Sequence, residues 1–209
     1  MRGGLRLRDT KFREKNMTKE KLQHFLQRTG FITAAQAEEI AGQFRPRVLA
    51  RHGMLLEAGK VSDDYFFLDQ GFMRAFAYDP QGNDTTTAFY AAGQLVFEVA
   101  SFFNRTPSRE YIQALTDCQG WSIRYQELNG LFHARPEFRE FGRAMLVRGY
   151  AGLKDRMLAM ITEQAAVRYE ALLRAQPEIL QHAPLKNVAS YLGVTDSSLS
   201  RIRKGSSKK

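Results

Sequence analysis

Hydrophobic and polar positions alternate in two different ways along the chain, and the change of period separates predicted helical parts from a strand-rich part. Residues 18–46 repeat apolar side chains at helical spacing. Between about residues 47 and 125, short apolar runs are separated by Gly, Pro, Asn and Asp, which favours strands and turns. The predicted strands are Val48–Glu57, Asp64–Leu68, Met73–Tyr78, Thr85–Tyr90, Tyr111–Leu115 and Gly120–Tyr125. Short strands at regular intervals indicate an antiparallel roll or barrel.

A long helix is predicted over residues 136–163, because Pro136 suits a first helical turn and the next proline is Pro177. Its apolar side chains recur at alternating steps of four and three, the spacing of a coiled coil. This stripe consists of Leu146, Tyr150, Leu153, Met157 and Met160. Two heptads also fit packing within one chain, but pairing of two chains is the preferred interpretation. A second helix, interrupted at Pro177, is predicted over residues 164–182.

The C-terminal segment predicts two short helices joined by a tight turn. The first helix would begin after Pro184 and bury one face. That face consists of Leu185, Val188, Ala189 and Leu192. Gly193 permits the left-handed conformation that ends a helix, and Thr195 or Asp196 can cap the next one. The buried residues of this second helix would be Val194, Leu199 and Ile202. The arrangement is that of a helix-turn-helix.

The polar side of the second helix is rich in groups that hydrogen-bond to base edges and phosphates. These candidate DNA-binding residues are Thr195, Asp196, Ser197, Ser198, Ser200, Arg201, Arg203 and Lys204. The net charge of +9 also favours an acidic partner, and residues 184–209 contain six basic residues against one acidic residue. Double-stranded DNA is therefore the predicted partner. The alternative is a helical hairpin with a solvated basic tail.

Composition excludes several other classes of protein. The sequence contains no long apolar run and no apolar signal segment, so a cytoplasmic protein without membrane contact is expected. The single cysteine, Cys118, has no partner for an intramolecular disulfide. The four histidines are scattered, and no hydrolase or nucleotide-hydrolysis motif is present, so neither a metal site nor an enzyme is predicted. Residues 1–17 are expected to form a disordered basic arm.

Three segments carry a resemblance to a known family. They are 64-DYFFLDQGFMRAFAYDPQGND-84, 112-IQALTDC-118 and 185-LKNVASYLGVTDSSLSRIRK-204. The chain resembles the CRP/FNR family of bacterial transcription regulators over residues 18–204, and most of all its short forms common in Bacteroidetes.

The resemblance implies an α+β fold. It consists of an N-terminal antiparallel β-roll of the cyclic-nucleotide-binding jelly-roll type, a long dimerisation helix and a C-terminal all-α helix-turn-helix. The corresponding domain bounds are 18–135, 136–163 and 164–209. Such proteins are homodimers that bind promoter DNA, so RNA polymerase and an unidentified small-molecule effector in the roll are further expected partners.

The resemblance also bears on DNA recognition. In the family, one arginine early in the recognition helix and another near its middle contact bases. Arg201 matches the second arginine and Asp196 stands in place of the first, so a different target sequence is expected. Family members usually continue into a β-hairpin wing, whereas this sequence ends five residues after Lys204. The expectation is a wingless form with weaker and more salt-sensitive DNA binding.

The candidate ligand residues are Glu98, Ser108 and Arg109. Members that bind cyclic AMP have a segment similar to F-G-E-L followed about ten residues later by an arginine. Glu98 matches the glutamate, but Phe97 replaces the glycine and Ser108 takes the place of the arginine, with Arg109 one residue late. Cyclic AMP is therefore not the expected effector, and no cofactor is assigned with certainty. A ligand sensor that acts through protein contacts without DNA is the alternative function.

Overall fold

The computed structural model describes residues 17–206 and combines helices with two four-stranded sheets, which confirms the predicted α+β class. The helices are α1 Glu20–Gln27, α2 Ala34–Gly42, α3 Val99–Asn104, α4 Tyr125–Ala134, α5 Pro136–Thr162, α6 Ala165–Ala175, α7 Ile179–His182, α8 Leu185–Tyr191 and α9 Asp196–Ser206. The strands are β1 Arg45–Leu49, β2 Met54–Leu56, β3 Asp64–Gln70, β4 Phe72–Tyr78, β5 Asp84–Ala91, β6 Gln94–Val96, β7 Tyr111–Ala114 and β8 Cys118–Arg124. Apart from Met17, the predicted basic arm lies outside the described residues.

The first sheet has the strand order β1-β8-β3-β6, and its pairs run antiparallel. Strand β8 lies in its interior, where Gly120 is opposite Arg47 of β1 and Leu68 of β3. A Cβ added to Gly120 would lie 2.0 Å from the carbonyl oxygen of Phe67. The close approach of these two strands therefore requires glycine at this position.

The second sheet has the order β2-β7-β4-β5. Strands β2 and β7 pair antiparallel, with Met54 opposite Gln113. The backbone N–H of Leu115, just after β7, donates to the carbonyl of Phe72 at the start of β4, at 2.8 Å. The order leaves β5 at an edge of the sheet, where unpaired backbone groups need other partners.

The single strand predicted over Val48–Glu57 is wrong, because a turn divides it into β1 and β2. The N–H of Gly53 donates to the carbonyl of Ala50 at 2.8 Å, and His52 adopts a left-handed φ of +68°. The N–H of His52 then donates to the carbonyl of Ala114 at 2.8 Å. The prediction joined the apolar runs 48–50 and 54–56 into one strand across Arg51, His52 and Gly53, which form this turn.

Some short elements were also missed. Strand β6 has three residues and helix α3 has six, which are too few for a period to show. The predicted strand that runs to Tyr125 ends at Arg124, whose N–H donates to the Glu127 carboxylate at 3.2 Å as α4 begins. The continuous helical pattern of residues 18–46 is two helices, and a Thr33–Gln36 capping box starts the second of them.

Aromatic side chains dominate the core of the roll. Phe67 of β3 contacts Phe25 of α1 with ring centroids 5.1 Å apart, and Phe25 contacts Phe141 of α5 at 5.7 Å. Phe138 stacks on Phe141 at 5.6 Å. Both α5 phenylalanines are fully buried, so the first turns of α5 are part of the core of the roll.

The chain divides into two compact units. The roll unit extends to Met73 and resumes over Tyr90–Ala144, and the helical unit contains Arg74–Phe89 and the chain from Met145 onward. The hairpin formed by most of β4 and β5 thus belongs to the same compact unit as the C-terminal helices. Nothing in the sequence pattern predicts this association, since the two segments are more than 50 residues apart in the chain.

None of the helices within residues 17–206 combines the length and the apolar content needed to cross a lipid bilayer.

Candidate nucleic-acid interface and ligand pocket

Helices α8 and α9 bury most of the residues that the sequence pattern predicts. Val188, Ala189, Leu192 and Leu199 are each at most 3% exposed. Leu185 was expected to be buried with them and is 38% exposed instead. The polar Asn187 is buried on α8. The hydroxyl of Ser190 donates to the backbone carbonyl of Asn187 at 3.0 Å, so a polar contact is part of the inner face of this helix.

The turn between α8 and α9 has the predicted geometry. Gly193 adopts a φ of +68°, the left-handed conformation that ends α8. The hydroxyl of Thr195 accepts a hydrogen bond from the N–H of Ser198 at 3.2 Å and so caps the start of α9. The ε-methyl group of Met160 lies 2.7 Å from the position that a Cβ on Gly193 would take. The end of α5 therefore packs directly on this turn.

Replacing Gly193 by alanine is expected to lower the free energy of unfolding by about 1–2 kcal/mol, because an L-residue is strained at this φ. The matched control is Gly149→Ala in α5, where an added Cβ meets no atom within 4 Å. This control should raise the stability by about 0.5–1 kcal/mol through helix propensity. Urea denaturation followed by circular dichroism measures the free energy of unfolding of both variants. If alanine at position 193 were as stable as glycine, the strained turn would be absent in solution.

The polar residues predicted to bind DNA lie mainly on one exposed side of α9. Ser197, Ser200, Arg201 and Lys204 follow each other at helical spacing and are exposed. Thr195 and Asp196 are exposed at the start of the helix, whereas Ser198 and Arg203 are half-buried. Asp196 is the acidic residue of this side and lies in the first turn of α9.

Two arginines, which the sequence analysis did not select, hold the C-terminal end of α8. The guanidinium of Arg156 in α5 donates to the carbonyl of Tyr191 at 3.2 Å, and Arg168 in α6 donates to the carbonyl of Leu192 at 2.8 Å. The last carbonyls of a helix have no partner within it, and the helix dipole makes this end negative. Two cations therefore satisfy the end of α8 just before the turn. These contacts span 35 and 24 residues, so no local sequence signal could have identified them.

Strand β5 contacts the same end of α8 within the helical unit. The N–H of Thr86 donates to the hydroxyl of Ser190 at 3.1 Å, and the ring of Phe89 lies 5.1 Å from the ring of Tyr191. Arg156 also donates to the carbonyl of Thr87. The edge of β5 is thus partnered by α8 and by the side chain of Arg156.

The apolar stripe on α5 is largely uncovered in the single chain. Leu146 and Met157 are about half exposed, Leu153 is 65% exposed and Tyr150 is 70% exposed. Ile161 continues the stripe and is 74% exposed. Met160, which the sequence analysis placed in the stripe, is less exposed and contacts Gly193 of its own chain.

Glu98 caps the start of helix α3. Its carboxylate accepts from the N–H of Ala100 at 3.0 Å and from the N–H of Ser101 at 2.6 Å. Phe97, in place of the family's glycine, contacts Tyr65 and Phe102 with ring centroids at 4.7 and 5.4 Å. The backbone donors at this turn are therefore occupied by the carboxylate of the chain itself.

The other two candidate ligand residues are not brought together with Glu98 by any hydrogen bond among the described residues. The hydroxyl of Ser108 is buried, accepts from the N–H of Glu110 at 3.0 Å and donates to its carbonyl at 2.9 Å. Arg109 is exposed. Because the single O–H of Ser108 is already donated, this residue has no donor left for a phosphate group.

A cavity of about 240 Å³ lies in the roll unit. It is lined by Met54, Leu55, Leu56, Glu57, Lys60, Val61, Ser62, Asp63, Asp64, Phe97 and Ile112. None of the three candidate ligand residues lines it. Asp63 pairs with Arg105 at 2.8 Å, and Asp64 pairs with Arg47 at 3.5 Å. The acidic groups of the wall are thus largely neutralised.

Burial raises the pKa of two groups in the roll unit. The phenol of Tyr65 and the thiol of Cys118 both lie away from water, where their anions are unfavourable. Cys118 is therefore an inert core residue and not a reactive thiol.

Comparisons with known proteins agree with this architecture. Residues 46–135 match the family model of the cyclic nucleotide-binding domain. No curated protein matches the sequence. The structure is similar to FixK2 from Bradyrhizobium japonicum, with a TM-score of 0.66 and 16% identity over 78% of this chain and 83% of FixK2. The chain has the fold of the CRP/FNR regulators.

Two further structures share the CRP/FNR fold. CLP from Xanthomonas campestris, described as a c-di-GMP-responsive global regulator, has a TM-score of 0.67 and 15% identity over 84% of this chain and 92% of CLP. A mutant of CooA from Carboxydothermus hydrogenoformans has a TM-score of 0.62 and 17% identity over 81% of this chain and 79% of CooA. The resemblance to the CRP/FNR family stated from the sequence is confirmed at the level of the fold.

Proposed function

We propose that this protein is a homodimeric regulator of transcription that binds specific promoter DNA through α9. The observation that carries the proposal is the exposed side of α9, where Ser197, Ser200, Arg201 and Lys204 present donors at helical spacing. A recognition helix in the major groove reads base edges through such side chains, and a lysine adds phosphate contact. The strained, capped turn before α9 gives this helix a defined direction.

Dimerisation is supported by the uncovered stripe on α5. Exposed apolar residues that occur singly are ordinary, but a continuous row along one helix marks an interaction surface. A second copy of the same helix is the occupant proposed, because two-fold pairing presents two recognition helices to successive major grooves. The stripe proposed for pairing consists of Leu146, Tyr150, Leu153, Met157 and Ile161.

The operator is expected to differ from that of family members with an arginine at the start of the recognition helix. In this chain Asp196 stands at that position. An ionised carboxylate accepts hydrogen bonds and cannot donate them. The major-groove amino groups of cytosine and adenine are suitable donors, whereas guanine and thymine present acceptors. We therefore expect cytosine or adenine on the strand that Asp196 faces.

The effector is proposed to be a small molecule other than cyclic AMP. The carboxylate of Glu98 already occupies the N–H groups of Ala100 and Ser101, and Phe97 fills the space where the family has glycine. A phosphate group brought to this turn would find the N–H groups of Ala100 and Ser101 already bonded and the ring of Phe97 in its way. The cavity lined by Met54, Leu56 and Ile112 is the alternative place for a small ligand.

Selection of duplexes from a random DNA pool, followed by affinity measurement on the selected site, tests this function. Replacing Arg201 by alanine should weaken binding to that site by about 1–3 kcal/mol, because a bidentate contact to guanine is lost. Asp196→Ala should relax the base preference at one position. The matched control is Arg148→Ala, which removes an exposed arginine of α5 that is not among the proposed DNA-binding residues. Selection of no sequence at all, together with tight binding of a nucleotide, would favour the sensor module that acts without DNA.

A further inference from the structure

The helical unit contains a residue whose contacts link the hairpin of β4 and β5 to the helix-turn-helix. Arg156 lies in the part of α5 that belongs to the helical unit, and its guanidinium donates to the carbonyl of Thr87 in β5 and to that of Tyr191 at the end of α8. The same guanidinium stacks on the ring of Tyr191, with its central carbon 3.9 Å from the ring centroid. One side chain therefore contacts a strand, a helix end and an aromatic face.

From these contacts we infer that Arg156 is a positioning residue for DNA recognition, which couples strand β5 to the direction of α8 and α9. This inference rests on the proposed function. A guanidinium is planar and presents several donors in a fixed geometry, so it can bridge two carbonyls and stack at the same time. A lysine at this position has the charge but not this geometry.

The contacts next to Arg156 reinforce the same link. Ser190 accepts from the N–H of Thr86 and donates to the carbonyl of Asn187, so its hydroxyl connects the edge of β5 to the interior of α8. Phe89 packs against Tyr191, and the side-chain amide of Gln176, the residue after α6, donates to the carbonyl of Phe89 at 3.5 Å. Backbone groups of residues 86, 87 and 89 are thus all held by the side chains of Ser190, Arg156 and Gln176.

The position of β5 in the chain gives this link its functional meaning. Residues 46–135 match the family model of the cyclic nucleotide-binding domain, and β5 lies within them and ends with Tyr90 and Ala91, which belong to the roll unit. A change in the roll that shifts β5 along its length would move the carbonyl of Thr87, which shares Arg156 with the end of α8. Two sites are coupled when each can change the equilibrium position of the same structural element, and Arg156 with its two carbonyl partners is such an element.

Hydrogen exchange tests the positioning role without reference to DNA. In Arg156→Ala, the amides of residues 84–89 and 188–193 should exchange faster than in the unsubstituted protein, and Arg156→Lys should not restore their protection. The control Arg148→Ala removes an exposed arginine from the same helix and should leave both segments unchanged. Unchanged exchange in Arg156→Ala would overturn the inference.

DNA-binding measurements on the same variants are the second test of the inference. If Arg156 only stabilised the fold, Arg156→Ala would lower specific and non-specific DNA affinity by the same factor, because both depend on the fraction of folded protein. A positioning role should lower the ratio of specific to non-specific affinity by about tenfold while the melting temperature stays within a few degrees. An unchanged ratio, or tighter specific binding, would contradict it. If the unsubstituted protein selects no DNA sequence, the proposed function fails, and the exchange arm still decides whether Arg156 links β5 to α8.

Discussion

Replacing Leu153 by glutamate is expected to convert the protein from dimers to monomers. Leu153 lies in the middle of the α5 stripe and is 65% exposed in the single chain, so the substitution leaves the fold of each chain intact. In the dimer it would bring two carboxylates into an apolar contact, where burial of an unpaired charge is costly. Sedimentation equilibrium should show the mass of one 23.9-kDa chain for the variant and twice that mass for the unsubstituted protein.

The same variant should lose most of its specific DNA affinity. Two linked recognition helices gain a factor of about 10²–10⁴ over one, because the second contact becomes intramolecular. The matched control is Val167→Glu, which places the same charge on an exposed apolar residue of α6 away from the stripe. The control should remain dimeric and bind normally. A Leu153→Glu variant that stays dimeric would show that the α5 stripe is not the interface.

Replacing Asp84 by alanine is expected to lower the free energy of unfolding by about 3 kcal/mol, near the lower end for breaking a buried ion pair. Its carboxylate accepts two hydrogen bonds of 2.6 Å from the guanidinium of Arg74, which is 6% exposed. Arg74 also donates to the hydroxyl of Thr86 at 3.3 Å and lies 4.1 Å from the ring centroid of Phe76. Loss of the carboxylate therefore removes the counter-charge of a desolvated cation.

Urea denaturation of Asp84→Ala measures this loss, and two further variants identify its cause. Asp84→Asn keeps the shape and one acceptor, so it should lie between alanine and the unsubstituted protein. Arg74→Met combined with Asp84→Ala should recover part of the stability, because no buried charge is left. A loss of less than about 1 kcal/mol in Asp84→Ala would mean that water replaces the carboxylate in the hairpin.

Elements in which apolar residues recur at a clear period were predictable from the sequence, and elements that depend on local backbone geometry were not. The long helix begins at Pro136 and ends at Thr162, within one residue of its predicted range, because it is long and has no interior proline. The turn at Gly193 follows from a glycine between two amphipathic segments. The turn at His52 has its left-handed φ on a histidine and not on the neighbouring Gly53, which is uncommon, and β1 and β2 were predicted as one strand.

The candidate site could be predicted only where its residues are close in the chain. The polar side of α9 lies within ten residues and follows from helical spacing alone. The exposure of Leu185 was not predicted, because the helical spacing of apolar residues in α8 is the same whether Leu185 is buried or partly exposed. Arg156, Arg168 and Tyr191 meet through tertiary packing, and their types are ordinary on any helix surface. The proposal for these residues rests on the structure alone.

The measurement that tests the central claim most directly is the fluorescence anisotropy of DNA from upstream of the protein's own gene against a scrambled duplex, over a series of salt concentrations. The proposed function predicts tighter binding to the upstream DNA at every salt concentration, with both curves unchanged by cyclic AMP. Phosphate contacts alone give a steep salt dependence and no preference. Equal affinity for the two duplexes would therefore contradict the claim and leave only a basic surface that binds any DNA.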